Sequence, residues 1–259
     1  MIVSLRNSLL LLLLPLAAPL AAPAAPLAAP AVARRDLLGV TAASIFAAAR
    51  PSSAASPALL PERAALLDSI ASGSGDVESR IAALLPFDPS KGRAASSASL
   101  SGTWELIWSA KAEAFSPLLR LPPPLRPASF QLLGAAATAE VGEGRVAQVL
   151  TRGILGKTRL LLSSGVLPAA DGSSETLEIF PPFRLQVERG GTKKTLVDAG
   201  SDASFRAVNG RDDDAQAAPK NRYAQTYLEE TNGAGDLRIS VITAGDPVIV
   251  GAVFVHQRL

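Results

Sequence analysis

The chain has 259 residues, 48% of them apolar, with no cysteine and a single histidine, His256. This excludes a disulfide framework, a thiolate nucleophile and Cys-based or multi-His metal centres, and any Ser-His-Asp triad would depend on His256 alone. The formal charge of +2 combines +3 on residues 1–57, where Arg6, Arg34, Arg35 and Arg50 face Asp36, with −1 on the remainder, which keeps 21 of the 25 basic and 22 of the 23 acidic side chains, without the basic footprint that nucleic-acid binding requires.

Residues 1–57 read as a targeting presequence. Arg6 precedes the apolar run Ser8–Leu14, and Pro15, Pro19, Pro23, Pro26 and Pro30 interrupt the Ala-rich stretch beyond it, which argues against a membrane-spanning helix. A basic start, a short apolar core and the Ala31-Val32-Ala33 end match a cleaved signal. Arg34-Arg35-Asp36 then leads into Leu37–Ala49, with small residues at Ala47–Ala49 or Ala54–Ala58, like a twin-arginine export signal. Two stacked signals suit delivery through successive membranes; the alternative is one long presequence with a fortuitous arginine pair.

The domain expected over 58–259 opens with two short helices. Pro61-Glu62-Arg63 starts the first, which runs to about Ala71 with Leu66, Leu67 and Ile70 at helical spacing. Ser72-Gly73-Ser74-Gly75 breaks it. Asp76 is placed to cap a second helix with Val77, Ile81, Leu84 and Leu85 on one face, ended by Pro86 and Pro89.

Ser101–Ser109 reads S-G-T-W-E-L-I-W-S and holds both tryptophans. Strict alternation puts Trp104, Leu106 and Trp108 on one face and Thr103, Glu105, Ile107 and Ser109 on the other, the pattern of a half-buried strand. The indoles line either a barrel interior or a sandwich core. Pro117–Pro127 is too proline-rich for regular structure. Strands are predicted at Ser129–Leu133, Arg145–Arg152, Thr158–Ser163, Glu175–Phe180 and Phe183–Glu188. Gly190–Asn221 is polar and reads as a long loop; its Asp212-Asp213-Asp214 run reads as a solvated turn rather than a cation site. Tyr223–Glu229, Leu237–Thr243 and Val248–Gln257 complete the set, the first two joined by the turn Asn232-Gly233-Ala234-Gly235. Eight or nine short strands after two helices predict a mainly β (α+β) fold: a closed, up-and-down antiparallel barrel of lipocalin-like form, which removes exposed sheet edges.

The sequence resembles the plastid lipid-associated proteins, also called plastid fibrillins or plastoglobulins. The matching features are the paired helices around Ala64–Ala71 and Ile81–Leu85, the strand G-T-W-E-L-I-W-S (Gly102–Ser109), the segments T-Y-L-E-E (Thr226–Glu230) and D-L-R-I-S (Asp236–Ser240), and the closing V-F-V-H-Q-R (Val253–Arg258). The resemblance covers roughly residues 60–259 and is weakest in the middle. Thr231–Gly235 is an insertion relative to the family pattern, and V-I-T-A-G-D-P replaces its glycine-rich turn. The resemblance implies a plastid protein, associated with thylakoids or plastoglobules, that binds or organises lipids, quinones or carotenoids without catalysis or a cofactor. The Arg34-Arg35 signal adds the thylakoid lumen as a destination.

A small barrel with aromatic and aliphatic lining is a pocket for an apolar ligand. Trp108, Trp104, Leu106, Tyr227 and Arg238 are the expected ligand-facing residues; no metal site is expected. Trp108 is the favoured ligand contact, while Trp104 closes one end under a late-strand arginine, Arg238 or Arg258. Arg238 has a second possible use, holding a ligand head group. An enzymatic alternative needs an acid or base inside the barrel, and Glu105, Glu229, Tyr227 and His256 are the candidates. A structural coat on lipid droplets is a third reading.

Overall fold

The computed structural model describes residues 60–111, 116–169, 173–198 and 220–259. The presequence and the Asp212–Asp214 run lie outside them. Among the described residues, helices α1 (Pro61–Ser72) and α2 (Val77–Leu84) come first, and Gly73 ends α1 in the left-handed conformation at φ 66°. Asp76 stands at the start of α2 but makes no side-chain cap bond; its carboxylate accepts from Ser69 Oγ (2.6 Å) and Arg80 Nε (2.8 Å) instead, tying α2 back to α1.

Among the described residues, nine strands come after the helices: β1 (Gly102–Ser109), β2 (Ala128–Leu133), β3 (Arg145–Thr151), β4 (Thr158–Pro168), β5 (Thr176–Arg189), β6 (Thr192–Asp198), β7 (Asn221–Leu228), β8 (Leu237–Ala244) and β9 (Val253–Arg258). All pairings are antiparallel. Eight strands close the ring β1–β2–β3–β4–β5–β7–β8–β9, and β9 returns to β1. The expected lipocalin-like barrel after two helices is therefore the fold. One further helix, α3 (Ala135–Val141), packs on the outside of β2 and β3.

The two predicted strands on either side of Pro181-Pro182 are one continuous strand that changes partners. Before the prolines β5 pairs with β7 (Thr176–Ile179 against Ala224–Asn221); from Arg184 onward it pairs with β6. Proline has no N–H to give a ladder, so a double proline is a natural place for the exchange. The β5–β6 turn uses Gly190 and Gly191 at φ 59° and 78°, the positive values a two-residue hairpin needs. The polar stretch read as a loop from Gly190 thus begins with a strand. The Pro-rich segment contains one 3-10 turn at Pro117–Arg120, and the final strand starts at Val253 rather than Val248.

Two apolar layers cover the barrel from outside. Under α1 and α2 lie Leu66, Val77, Ile81 and Leu84, packed with Tyr227, Leu237, Ile239 and Val255. Under α3 lie Phe130, Leu132, Ala147, Val149 and Leu161. Every second residue of these strands therefore points outward into a helix-covered layer, leaving the alternate set for the interior.

One irregularity overturns the reading of the opening strand. Leu106 pairs with His256, but Trp108 pairs with the next residue back, Val255; Ile107 is the extra residue of a β-bulge. The bulge reverses the alternation. Trp104 and Leu106 point inward, whereas Trp108 joins Ile107 and Val255 beneath α1 and α2. Tyr227 is also placed there, not inside the barrel.

Candidate functional site: the barrel interior

One end of the barrel is plugged by residues 88–101. Ala94, Ala95 and Leu100 pack on Trp104, Leu133, Val146, Leu177, Ile179 and Leu228. Trp104 is fully buried, and its indole N–H donates to the Leu100 carbonyl at 2.9 Å. The Asp88 carboxylate accepts the Leu228 N–H at 3.0 Å, which satisfies a donor at the unpaired edge of β7.

Arg258 locks this plug. Its guanidinium carbon stands 4.3 Å from the Trp104 ring centroid, its Nη1 donates to Ser101 O at 2.8 Å and its Nη2 donates to Ser99 O. Asp236 supplies the counter-charge, with Oδ2 3.7 Å from Arg258 Nε. Gly102 is held at φ 154° directly against this guanidinium, and a Cβ there would collide with Arg258 Nη1. The glycine two positions before Trp104 is thus required by close approach. The expected arginine cover over Trp104 is present, with Arg258 as its nearer member.

Arg238 is the second member and lies one layer further in. Its guanidinium carbon is 5.2 Å from the Trp104 centroid, and its strand pairs it with His256. Nη2 donates to Gln131 Oε1 at 2.5 Å and Nη1 to Gln225 Oε1 at 3.4 Å. No carboxylate meets it among the described residues. Burial, followed by the charge of Arg258, pulls its pKa down to about 9. His256 is also buried. Desolvation, then the charge of Arg238, holds its imidazole well below the usual value and therefore neutral. Among the described residues, Arg238 Nε and His256 Nδ1 have no hydrogen-bond partner, and neither do Arg258 Nε and Asp236 Oδ2.

The register extends this layer across the barrel. Gln131 pairs with Gln148, whose amide donates to Ser129 Oγ at 2.5 Å. Ser240 is buried opposite Gln225. The resulting belt of amides, hydroxyls, one imidazole and one guanidinium sits above the apolar plug. Beyond it the lining is apolar again. Leu106, Ile242, Phe254, Ile249 and Tyr223 form one side. On the other side, Gln148 pairs with Leu162 and Leu150 with Leu160, which pair in turn with Leu185 and Val187. Leu160, Leu162, Leu185 and Val187 are only half-buried.

Of the five residues expected to face a ligand, Trp104, Leu106 and Arg238 share the interior, while Trp108 and Tyr227 lie outside it beneath α1 and α2. Tyr227 donates to Glu229 Oε1 at 3.1 Å, and Glu229 also takes Arg63 Nε and the Leu237 N–H, each at 2.8 Å. This buried cluster fastens α1 to the β7–β8 connection. Burial, followed by Glu229, raises the Tyr227 pKa. Glu105 lies on the outer face of β1, so His256 is the one acid–base candidate directed inward.

Sequence reasoning missed Gln131, Gln148, Gln225, Ser129 and Ser240. The signal was present in S-F-Q-L-L (Ser129–Leu133), where polar residues alternate with apolar ones. The apolar set faces α3, so the polar set faces inward, the reverse of the usual assumption. No protein-family model, curated protein or solved structure matches the chain.

Proposed function

We propose that this chain is a non-catalytic binder or organiser of lipophilic molecules, of the plastid lipid-associated (fibrillin) type, acting at thylakoids or plastoglobules. The observation carrying this reading is the asymmetry of the barrel. One end is sealed by Trp104 and its plug, and the other presents half-buried Leu160, Leu162, Leu185 and Val187 on the inner face. Partly solvated apolar surface on a concave wall gains by covering itself with apolar matter; a ligand burying about 300 Å² there would gain roughly 7 kcal/mol before association costs. The plastid assignment rests on the resemblance of Gly102–Ser109 and Thr226–Ser240 to the family, and on the double presequence.

The purified protein is expected to carry lipophiles identifiable by mass spectrometry, and added quinones or carotenoids are expected to quench its tryptophan fluorescence. Recovery of no lipophile together with no quenching would sink the reading. Import assays with Arg34 and Arg35 both changed to Lys test the lumen destination, which unaltered delivery would remove.

A further inference from the structure

The interior carries an electrical imbalance. Arg258 and Arg238 are both buried beside Trp104, but Asp236 is the only carboxylate that meets either of them among the described residues, and it meets Arg258. His256 adds no negative charge. One unit of positive charge is therefore left over at the base of the barrel, held only by two amide oxygens and an indole ring. A buried guanidinium without a counter-ion is costly, because the desolvation of the charge is not offset. Among the described residues Arg238 Nε and Nδ1 of the His256 that pairs with it across the sheet make no hydrogen bond; Arg258 Nε makes none either, but it faces the Asp236 carboxylate at 3.7 Å, a counter-charge that Arg238 lacks. Beyond this belt Leu106 packs with Ile242, Ile249, Ala252 and Phe254, and across the barrel Leu160, Leu162, Leu185 and Val187 form a half-buried stretch of the inner wall.

We infer that Arg238, with His256 beside it, is the receptor for a single-charge anionic head group, a carboxylate, on a ligand whose apolar tail lies along the half-buried wall of Leu160, Leu162, Leu185 and Val187. This rests on the lipophile-binding reading above and specifies its ligand class. The charge count selects a monoanion, since one carboxylate cancels the one uncompensated cation. The guanidinium fork suits a carboxylate in shape as well, because its Nε–H and one Nη–H present two parallel donors. The imidazole contributes a third donor in the tautomer that carries its proton on Nδ1. A neutral lipophile would fill the apolar wall and leave all of this unanswered.

The test compares palmitate with hexadecan-1-ol and methyl palmitate, ligands of nearly equal tail and unequal charge, by calorimetric titration of the full chain. Palmitate is expected to bind at least about tenfold more tightly than either neutral analogue. Arg238→Met is expected to remove that preference, and Arg238→Lys to retain part of it. Equal affinity for acid and alcohol would overturn the inference and leave the carrier reading intact. No affinity for any of the three would overturn it as well, and the carrier reading would then stand or fall on the quenching by quinones and carotenoids. An acid preference that survives Arg238→Met would also overturn it, since the anion would then be held elsewhere. A further measurement needs no variant: the carbon-13 carboxyl resonance of bound palmitate should stay in its ionised position from about pH 7 down to about pH 4, where the free acid titrates. A bound resonance that titrates like the free acid would count against the site.

Discussion

The two ends of this barrel solve opposite problems. At the plugged end the buried charge is balanced, although Arg258 Nε and Asp236 Oδ2, 3.7 Å apart, share no hydrogen bond. The Trp104 N–H has Leu100 O, Arg258 has the carbonyls of Ser99 and Ser101 together with Asp236, and the backbone edge of β7 has Asp88. Inward from it, Arg238 has no counter-ion among the described residues, its Nε and His256 Nδ1 are unpartnered, and further on the apolar wall keeps water contact. The same strands build both regions, and Arg258 and Arg238 touch the same indole. Burial alone therefore does not separate a structural arginine from one poised for a ligand; the separation lies in whether its charge is already answered.

The largest effect should come from removing the plug's centre. Trp104→Ala deletes a fully buried indole and its hydrogen bond, and should cost about 3–5 kcal/mol in denaturant unfolding. The two arginines then divide the comparison. Arg258→Met leaves the buried Asp236 without its cation and should destabilise by about 3–5 kcal/mol. Arg238→Met removes an uncompensated buried charge and should change the stability of the ligand-free protein by less than about 1.5 kcal/mol, in either direction. Equal losses for the two would show that both are structural and would erase the contrast.

The next effect is smaller and depends on pH. His256 faces Leu106 on β1 and Arg238 on β8, with Arg258 as the charged neighbour on its own strand. Its folded pKa lies below its unfolded value of 6.5 because of burial first and Arg238 second. Stability from the neutral imidazole is fully present above that unfolded value. It is lost as pH falls from about 6.5 toward the folded pKa, by up to about 1.4 kcal/mol per pH unit. Thermal unfolding of the wild type should therefore weaken between about pH 6.5 and pH 5.5 more steeply than that of His256→Leu. Parallel curves would mean that the imidazole titrates freely in the folded state.

The barrel itself was legible in the sequence because strand alternation and turn chemistry are local. Gly102–Ser109 and Leu237–Ala244 announce themselves by period and residue type. What was not legible depends on partners distant in the chain. Trp108 changes faces through a one-residue bulge at Ile107, which is visible only in the register with β9. Nothing local marks Gln131 and Ser129 as interior; that follows only from α3 covering the other side of β2. Strand β6 was hidden because its residues are all exposed and polar alternation is absent, although Gly190-Gly191 between two β-rich runs was a usable hairpin signal.

A change with only a modest effect on stability should be the most informative about the half-buried wall. Leu162 and Leu185 face each other across β4 and β5 and remain half-buried. Replacing both with Ser removes surface that is already partly wet, so unfolding should shift by no more than about 1–2 kcal/mol, well below the effect of Trp104→Ala. Affinity for a long-chain lipophile should nonetheless fall by about tenfold or more, because the complex loses apolar contact at these two positions. The plug and the wall would then respond in opposite proportion, stability carried by one and binding by the other. A double variant that loses stability heavily but binds unchanged would reverse that assignment and place the ligand outside the barrel.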